Sequence, residues 1–328
     1  MPLGVLRPGH PVTTAIEPVL HGDRLEIRFH RRQETLHPLR YLIVRIGLSA
    51  AGNGFLLLLL DGLVFPEGPR WHDGRLWVSE MQGPRPRVIA VDLDGRAEDI
   101  VDVPAHPSGL GWLPDGRLLV VSMLDQKVLR LDPGGLVLHA DLSPFAGGEC
   151  NDMVVDPDGN AYVGNFGFDF RNGAPEKPTV LILVRPDGAA SPVARDLVFP
   201  NGAVITPDRR TLIVGETFGR RLTAFEIRDD ATLGPARLFA DVAPAVPDGI
   251  CLDEEGAVWV ASPTTAEFLR VRDGGEVADR IPVPGRSAIA CMLGGPGRRT
   301  LFLLMPFRGE ERATIETVHV TVPGAGWP

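Results

Sequence analysis

Five polar residues occupy the same place in a repeated sequence unit: Glu67, Ser108, Asn151, Asn201 and Asp248. Four of them, Glu67, Asn151, Asn201 and Asp248, carry the hard oxygens that bind a divalent cation, two as carboxylates and two as amides. Unpaired carboxylates brought together inside a fold are costly, and a bound cation removes that cost. Oxygen donors without His or Cys make Ca²⁺ the first expectation, with Mg²⁺ next and Mn²⁺ or Zn²⁺ as further alternatives. Other chemistries lack their motifs. No G-x-S-x-G nucleophile elbow, P-loop or G-x-G-x-x-G fingerprint occurs in the chain.

The elements that position these residues can be read from the repeat. An apolar strand, a Pro-Asp-Gly-type turn and a second alternating strand recur as WHDGRLWVS (71–79), WLPDGRLLVVS (112–122), VDPDGNAYVGN (155–165), ITPDRRTLIVGE (205–216), LDEEGAVWVAS (252–262) and GGPGRRTLFLLM (294–305). Taking Gly74, Gly116, Gly159, Arg209, Gly256 and Arg298 as equivalent turn positions, the intervals are 42, 43, 50, 47 and 42 residues. A third strand often follows, as in VIAVD (88–92), VLRLD (128–132) and LTAFEI (222–227). A period in the forties with several strands per unit predicts an all-β, six-bladed β-propeller with four-stranded blades around a central channel. Counting back seven or eight residues from each turn puts Glu67, Ser108, Asn151, Asn201, Asp248 and Ala290 at the start of the six innermost strands. Closure is expected to pair Phe55–Leu60 with residues 314–322.

Composition agrees. The 328 residues include 38 Gly and 31 Pro, too many breakers for a helical bundle. A net charge of −9 argues against a nucleic-acid surface, and no apolar run is long enough to span a bilayer. Three well-separated cysteines, Cys150, Cys251 and Cys291, suggest neither a disulfide framework nor a zinc knuckle, and a cytoplasmic location is expected. Residues 1–54 differ from the rest. Seven Arg against four acids give them a net charge of +3, leaving −12 for residues 55–328. They are read as a poorly ordered N-terminal extension outside the propeller of residues 55–328, with a short strand pair near Arg24–Phe29 as the one expected element.

The motifs FPEGPRW (65–71), CNDMVVDPDGNAYVGNFGFD (150–169), FPNGAVITPD (199–208), ETFGRRLTAFEI (216–227) and PDGICLDEEGAVWVA (247–261) resemble the regucalcin, gluconolactonase and luciferin-regenerating-enzyme family of six-bladed propellers. The resemblance covers residues 55 to about 325. It implies a divalent cation at the channel mouth held by Glu67, Asn151, Asn201 and Asp248. It also implies hydrolysis of a cyclic ester, typically a sugar lactone, with the cation as Lewis acid and Asp248 as the base that takes a proton from water. Sugar-lactone members often carry Arg two residues before the Asn of the second motif; this chain has Glu149 there, which sets it apart from a gluconolactone-type site.

Four further residues are candidate substrate contacts: Ser108, Glu149, His106 and Phe166. Phe166 opens a long loop, Phe166–Pro178, that also carries Phe168, Phe170 and Arg171 and is expected at the site face as a lid. The expected partner is a small-molecule lactone or ester, with no nucleic acid and no membrane; the sequence leaves the oligomeric state open. Two other functions fit the same features. One is aryl-ester or phosphotriester hydrolysis by the same Lewis acid; the other is a non-catalytic propeller that binds calcium or a small molecule.

Overall fold

The computed structural model describes the backbone of residues 14–21, 24–31, 42–45 and 56–326, with side chains from residue 56 onward. Residues 56–326 form six four-stranded antiparallel sheets, each a blade of one propeller. The inner strands of blades 1 to 6 are Pro66–His72, Pro107–Trp112, Cys150–Val155, Pro200–Ile205, Ile250–Leu252 and Ala290–Gly294. Each lies beside the next, and the sixth lies beside the first, so they enclose a channel.

The turn positions read from the sequence hold. Gly74, Gly116, Gly159, Arg209, Gly256 and Arg298 all have positive φ, between 55° and 89°. Glycine adopts this conformation without strain, which explains why four of the six are glycine. Arg209 and Arg298 occupy the same turn at φ 61° and 55°.

Blade 6 is completed by the strand Leu57–Leu63, which pairs with Ala313–His319 from Leu63 opposite Ala313 to Leu57 opposite Thr317. Closure by the first and last strands of the propeller removes the exposed sheet edges that an open ring would present. The ring is sealed by a stack of Trp71 from blade 1 on the buried Phe302 of blade 6, with centroids 5.4 Å apart. At the far end of the channel the C-terminal segment is tied to blades 5 and 6. Glu254 N–H donates to Pro323 O, Gly324 N–H to Arg298 O and Ala325 N–H to Leu252 O.

The expectation of a poorly ordered extension falls largely outside the described residues. The described strands there, Thr14–His21, Arg24–Arg31 and Leu42–Arg45, pair antiparallel in that order and belong to none of the six blades. We propose that residues 1–54 stand outside the propeller. A chain beginning at residue 55 keeps the closing strand and is expected to melt in one cooperative transition near the parent's temperature. A chain beginning at residue 64 lacks the fourth strand of blade 6 and is expected to aggregate. Calorimetry on the two truncations checks this, and loss of the cooperative melt in the longer one would place residues 1–54 within the folded unit.

Candidate active site

Pairing with the second strands fixes where each polar residue sits. Pro66, Pro107, Cys150 and Pro200 lie opposite the last residues of their second strands, Glu80, Ser122, Asn165 and Glu216. Glu67, Ser108, Asn151 and Asn201 are therefore all one residue in from the same end of the channel. Asp248 joins them, its N–H bonded to Ala261 O one residue before the end of the second strand of blade 5. The sixth position differs from the sequence reading. Ser287 N–H bonds to Pro306 O, which puts Ala288 level with the others, while Ala290 pairs deeper with Leu304. In blades 1 to 4 a β-bulge follows the polar residue, adding one residue to the inner strand. Bulges redirect side chains where regular pairing would fix them.

The residue after each polar one shows how tightly the ring is drawn. A Cβ on Gly68 would lie 2.6 Å from Ser108 O, one on Gly109 2.2 Å from Met153 N, one on Gly202 2.6 Å from Asp248 O and one on Gly249 2.5 Å from the Ala290 Cβ. Each glycine thus abuts the next blade's inner strand, and no side chain fits there. The Asn-Gly and Asp-Gly pairs of blades 4 and 5 serve interblade contact in addition to any turn preference.

Blade 3 departs from this rule with Asp152, a residue the sequence reading passed over. Its Oδ1 accepts from Arg70 Nη2 at 2.9 Å and from Met153 N–H at 2.8 Å. The same guanidinium donates to Pro69 O at 2.8 Å and to Met153 O. Arg70 belongs to blade 1, so this buried pair crosses the channel past blade 2 just beneath the polar ring. The signal was present as the Arg of FPEGPRW and the Asp of CNDM, but no periodicity links residues 82 positions apart.

Around this pair the site is strongly anionic. Asn201 Nδ2 donates to Asp248 Oδ1 at 2.7 Å and to Thr217 Oγ1 at 3.1 Å, and Thr217 Oγ1 donates to Pro247 O. Ser108 Oγ reaches Asn151 Oδ1 at 3.4 Å, and Glu67 Oε2 accepts from Gly68 N–H at 3.0 Å. Burial pushes the Asp248 carboxyl up to about 7, with the Asp152 charge adding to the rise and the Asn201 amide opposing it. Burial also raises Glu67 well above the usual carboxylate range, aided by the charges of Asp248 and Asp152. Arg70, the neighbouring cation, is committed to Asp152. No three His, Cys, Asp or Glu side chains gather into a ligand cluster among the described residues. A cation site here therefore draws on the asparagine amides as well as the carboxylates. Glu67, Asn151, Asn201 and Asp248 fit a hard divalent ion on that ground, because they are oxygen donors in a buried site with excess negative charge.

The ends of the second strands form a supporting ring that sequence reasoning missed. Glu80 Oε1 accepts the N–H groups of Val64 and Phe65, Asn165 Oδ1 that of Gly147, Glu216 Oε2 that of Val198 and Ser262 Oγ that of Val246. In four blades a side chain thus grips the chain just before it enters the inner strand. The site residue follows within a few positions.

Two residues ahead of the polar ring stand Phe65, His106, Glu149 and Phe199. Glu149 Oε1 accepts from Arg171 Nε at 2.5 Å, so the Phe166–Pro178 loop does return to the site face. His106 Nδ1 and Glu149 Oε2 are buried with no hydrogen-bond partner among the described residues. Burial and the Arg171 charge lower the His106 pKa, with the Glu149 charge opposing them. Phe166 is only 8% exposed and stacks on Phe199 at 4.2 Å. It therefore backs the rim of the mouth, while Phe170 is the exposed ring of the loop.

A family model described as SMP-30/Gluconolactonase/LRE-like region matches residues 65–305. The pentonolactonase XacC of Haloferax volcanii is 26% identical over 246 residues, 72% of this chain and 80% of that protein. A solved gluconolactonase from Xanthomonas campestris superposes with a TM-score of 0.68 at 28% identity, covering 84% of this chain and 92% of that one. A regucalcin from Agrobacterium tumefaciens, described as a calcium-binding protein, superposes at 0.69 with 22% identity, covering 81% and 93%, and shares the fold.

The raised carboxyls imply a pH dependence whose sign can be worked out. A carboxyl with a folded pKa near 7 and an unfolded one of about 4 binds more protons when folded, so stability falls as pH rises between those values. In metal-free protein, Asp248→Asn removes that penalty. The stability of the variant relative to the parent is expected to increase from pH 5 to pH 8, read by urea titration at each pH. A difference independent of pH would argue against the raised carboxyl.

Proposed function

Since the chain belongs to the SMP-30/Gluconolactonase/LRE-like family, we propose that it is a lactone hydrolase that works with a divalent cation, Ca²⁺ first, held by Glu67, Asn151, Asn201 and Asp248. The observation that carries this reading is the set of two carboxylates and two amides at one channel mouth, buried at Glu67, Asn151 and Asn201 and half-buried at Asp248, with the neighbouring arginine paired to Asp152. Membership in a family that includes gluconolactonase and pentonolactonase relatives supports lactone opening. The calcium-binding description of the regucalcin relative supports the choice of ion.

A bound divalent ion supplies Lewis acidity, drawing off the negative charge that develops on the lactone carbonyl oxygen. Asp248 takes the proton from the attacking water; a carboxyl whose affinity for protons has been raised toward neutrality suits a general base. Asn201 orients that carboxylate through its 2.7 Å hydrogen bond, and Thr217 holds Asn201 in turn. Glu67 supplies charge and an oxygen donor. Arg70 keeps Asp152 paired and out of the donor set.

The reading predicts that a lactone panel is hydrolysed, that EDTA abolishes the activity and that one divalent ion restores it. Inactivity on every lactone and ester would favour a binding propeller, and preference for aryl esters or phosphotriesters would redirect the substrate class. At saturating metal with measured occupancy, Asp248→Asn is expected to lower kcat by about 10² to 10⁴, the usual cost of losing a general base. Glu67→Gln should mainly raise the metal requirement. If saturating metal restores Asp248→Asn to near the parent rate, Asp248 is a ligand only.

A further inference from the structure

Five phenylalanines pack against one another on the site side of blades 3 and 4: Phe166, Phe168, Phe170, Phe199 and Phe218. Phe166 stacks on Phe199, while Phe170 meets Phe166 and Phe199 edge-on at 5.8 and 5.7 Å. Phe218 closes the group, 4.8 Å from Phe199 and 5.8 Å from Phe170. Four of the rings are buried or half-buried, and Phe170, at 48% exposure, presents their common face to solvent.

This cluster is continuous with the polar site. Phe199 precedes Asn201 by two residues, and Phe218 follows Thr217, whose hydroxyl accepts from the Asn201 amide. Phe199 also holds a φ of 59°, an unusual conformation for a bulky residue, and one that needs firm support from its surroundings. The loop that carries Phe170 is tied down next to it by the Arg171–Glu149 ion pair. The mouth thus has two unlike sides. Blades 2 and 3 contribute Ser108, Asn151 and two buried polar atoms without a partner among the described residues, His106 Nδ1 and Glu149 Oε2; the phenylalanines of blades 3 and 4 lie beside them.

A polyhydroxylated lactone has a hydroxyl on most ring carbons, and each one desolvated without a partner is costly. The half-exposed ring of Phe170 offers none of them a partner. An apolar substituent, by contrast, gains from covering exposed aromatic surface.

We propose that the lactone taken by this site carries an alkyl or aryl substituent, which lies on Phe170 and Phe218, backed by the buried Phe199, while the ring carbonyl sits over Glu67, Asn151, Asn201 and Asp248. This rests on the lactone-hydrolase reading above. The role of Phe170 is to bind the substituent, and that of Arg171 and Glu149 is to hold Phe170 in place.

The test compares γ-lactones with alkyl chains of increasing length against aldonolactones at saturating metal, alongside equilibrium binding of the matching γ-lactams, which resist hydrolysis. For the parent, kcat/KM and lactam affinity are both expected to rise by about two- to fourfold for each of the first few methylenes. Phe170→Ala, a change at a half-exposed ring, should flatten that rise in both readouts, and Phe170→Leu should retain much of it. Tighter binding or faster turnover of the hydroxylated series, or a rise that Phe170→Ala leaves intact, would overturn the proposal. If no lactone is opened, the hydrolase reading fails, and the lactam series still decides whether these rings bind an apolar chain.

Discussion

The site depends on how closely six inner strands approach one axis. Where they come together, a single Cβ would run into the backbone of the next blade, as at Gly109 against Met153 N and Gly202 against Asp248 O. Glycine is therefore required just inside the ring. The side chains that define the mouth are displaced to the preceding residue, where Glu67, Ser108, Asn201 and Asp248 stand. A cluster of buried oxygens follows from strand packing, and its excess negative charge follows from the choice of residues.

Blade 3 shows what happens when the rule is relaxed. Asp152 takes the place of a glycine, and its carboxylate is buried near the buried Glu67 and the half-buried Asp248. A buried charge without a partner would be strongly destabilising, and Arg70 meets it from across the channel. The pair has two consequences. It forms a polar floor beneath the mouth, and it subtracts one carboxylate from the site, leaving Glu67 and Asp248 as the charges that a divalent ion would balance. Burial still raises Asp152, and Arg70 opposes the rise.

Support for the mouth comes from a second ring further out. Glu80, Asn165, Glu216 and Ser262 each end a second strand and bind the backbone entering the adjacent inner strand. These bonds satisfy donors that would otherwise be orphaned in the loops, and they fix the entry of each inner strand. Glu216 is further held by Arg221 and Thr223. Of the oxygen donors, Glu67, Asn151 and Asn201 stand on inner strands and Asp248 on the segment that enters one, while the aromatic residues 166–170 and 218 follow second strands.

The sequence determined the blade count, the turn positions and the closing strand, because each is a local pattern repeated at a nearly constant interval. It also marked Glu67, Ser108, Asn151, Asn201 and Asp248, since equivalent places in a repeat are equivalent places in a ring. The register failed at blade 6, where Arg298 lies in a short 3₁₀ turn and Ala288, two residues before the expected Ala290, takes the ring position. Tertiary structure alone decided the rest. The Arg70–Asp152 pair joins blades that are not neighbours, and Phe218 meets Phe170 only when two blades stand side by side. Such contacts depend on where the ring closes in space, and repeat spacing along the chain carries no record of distance across a channel.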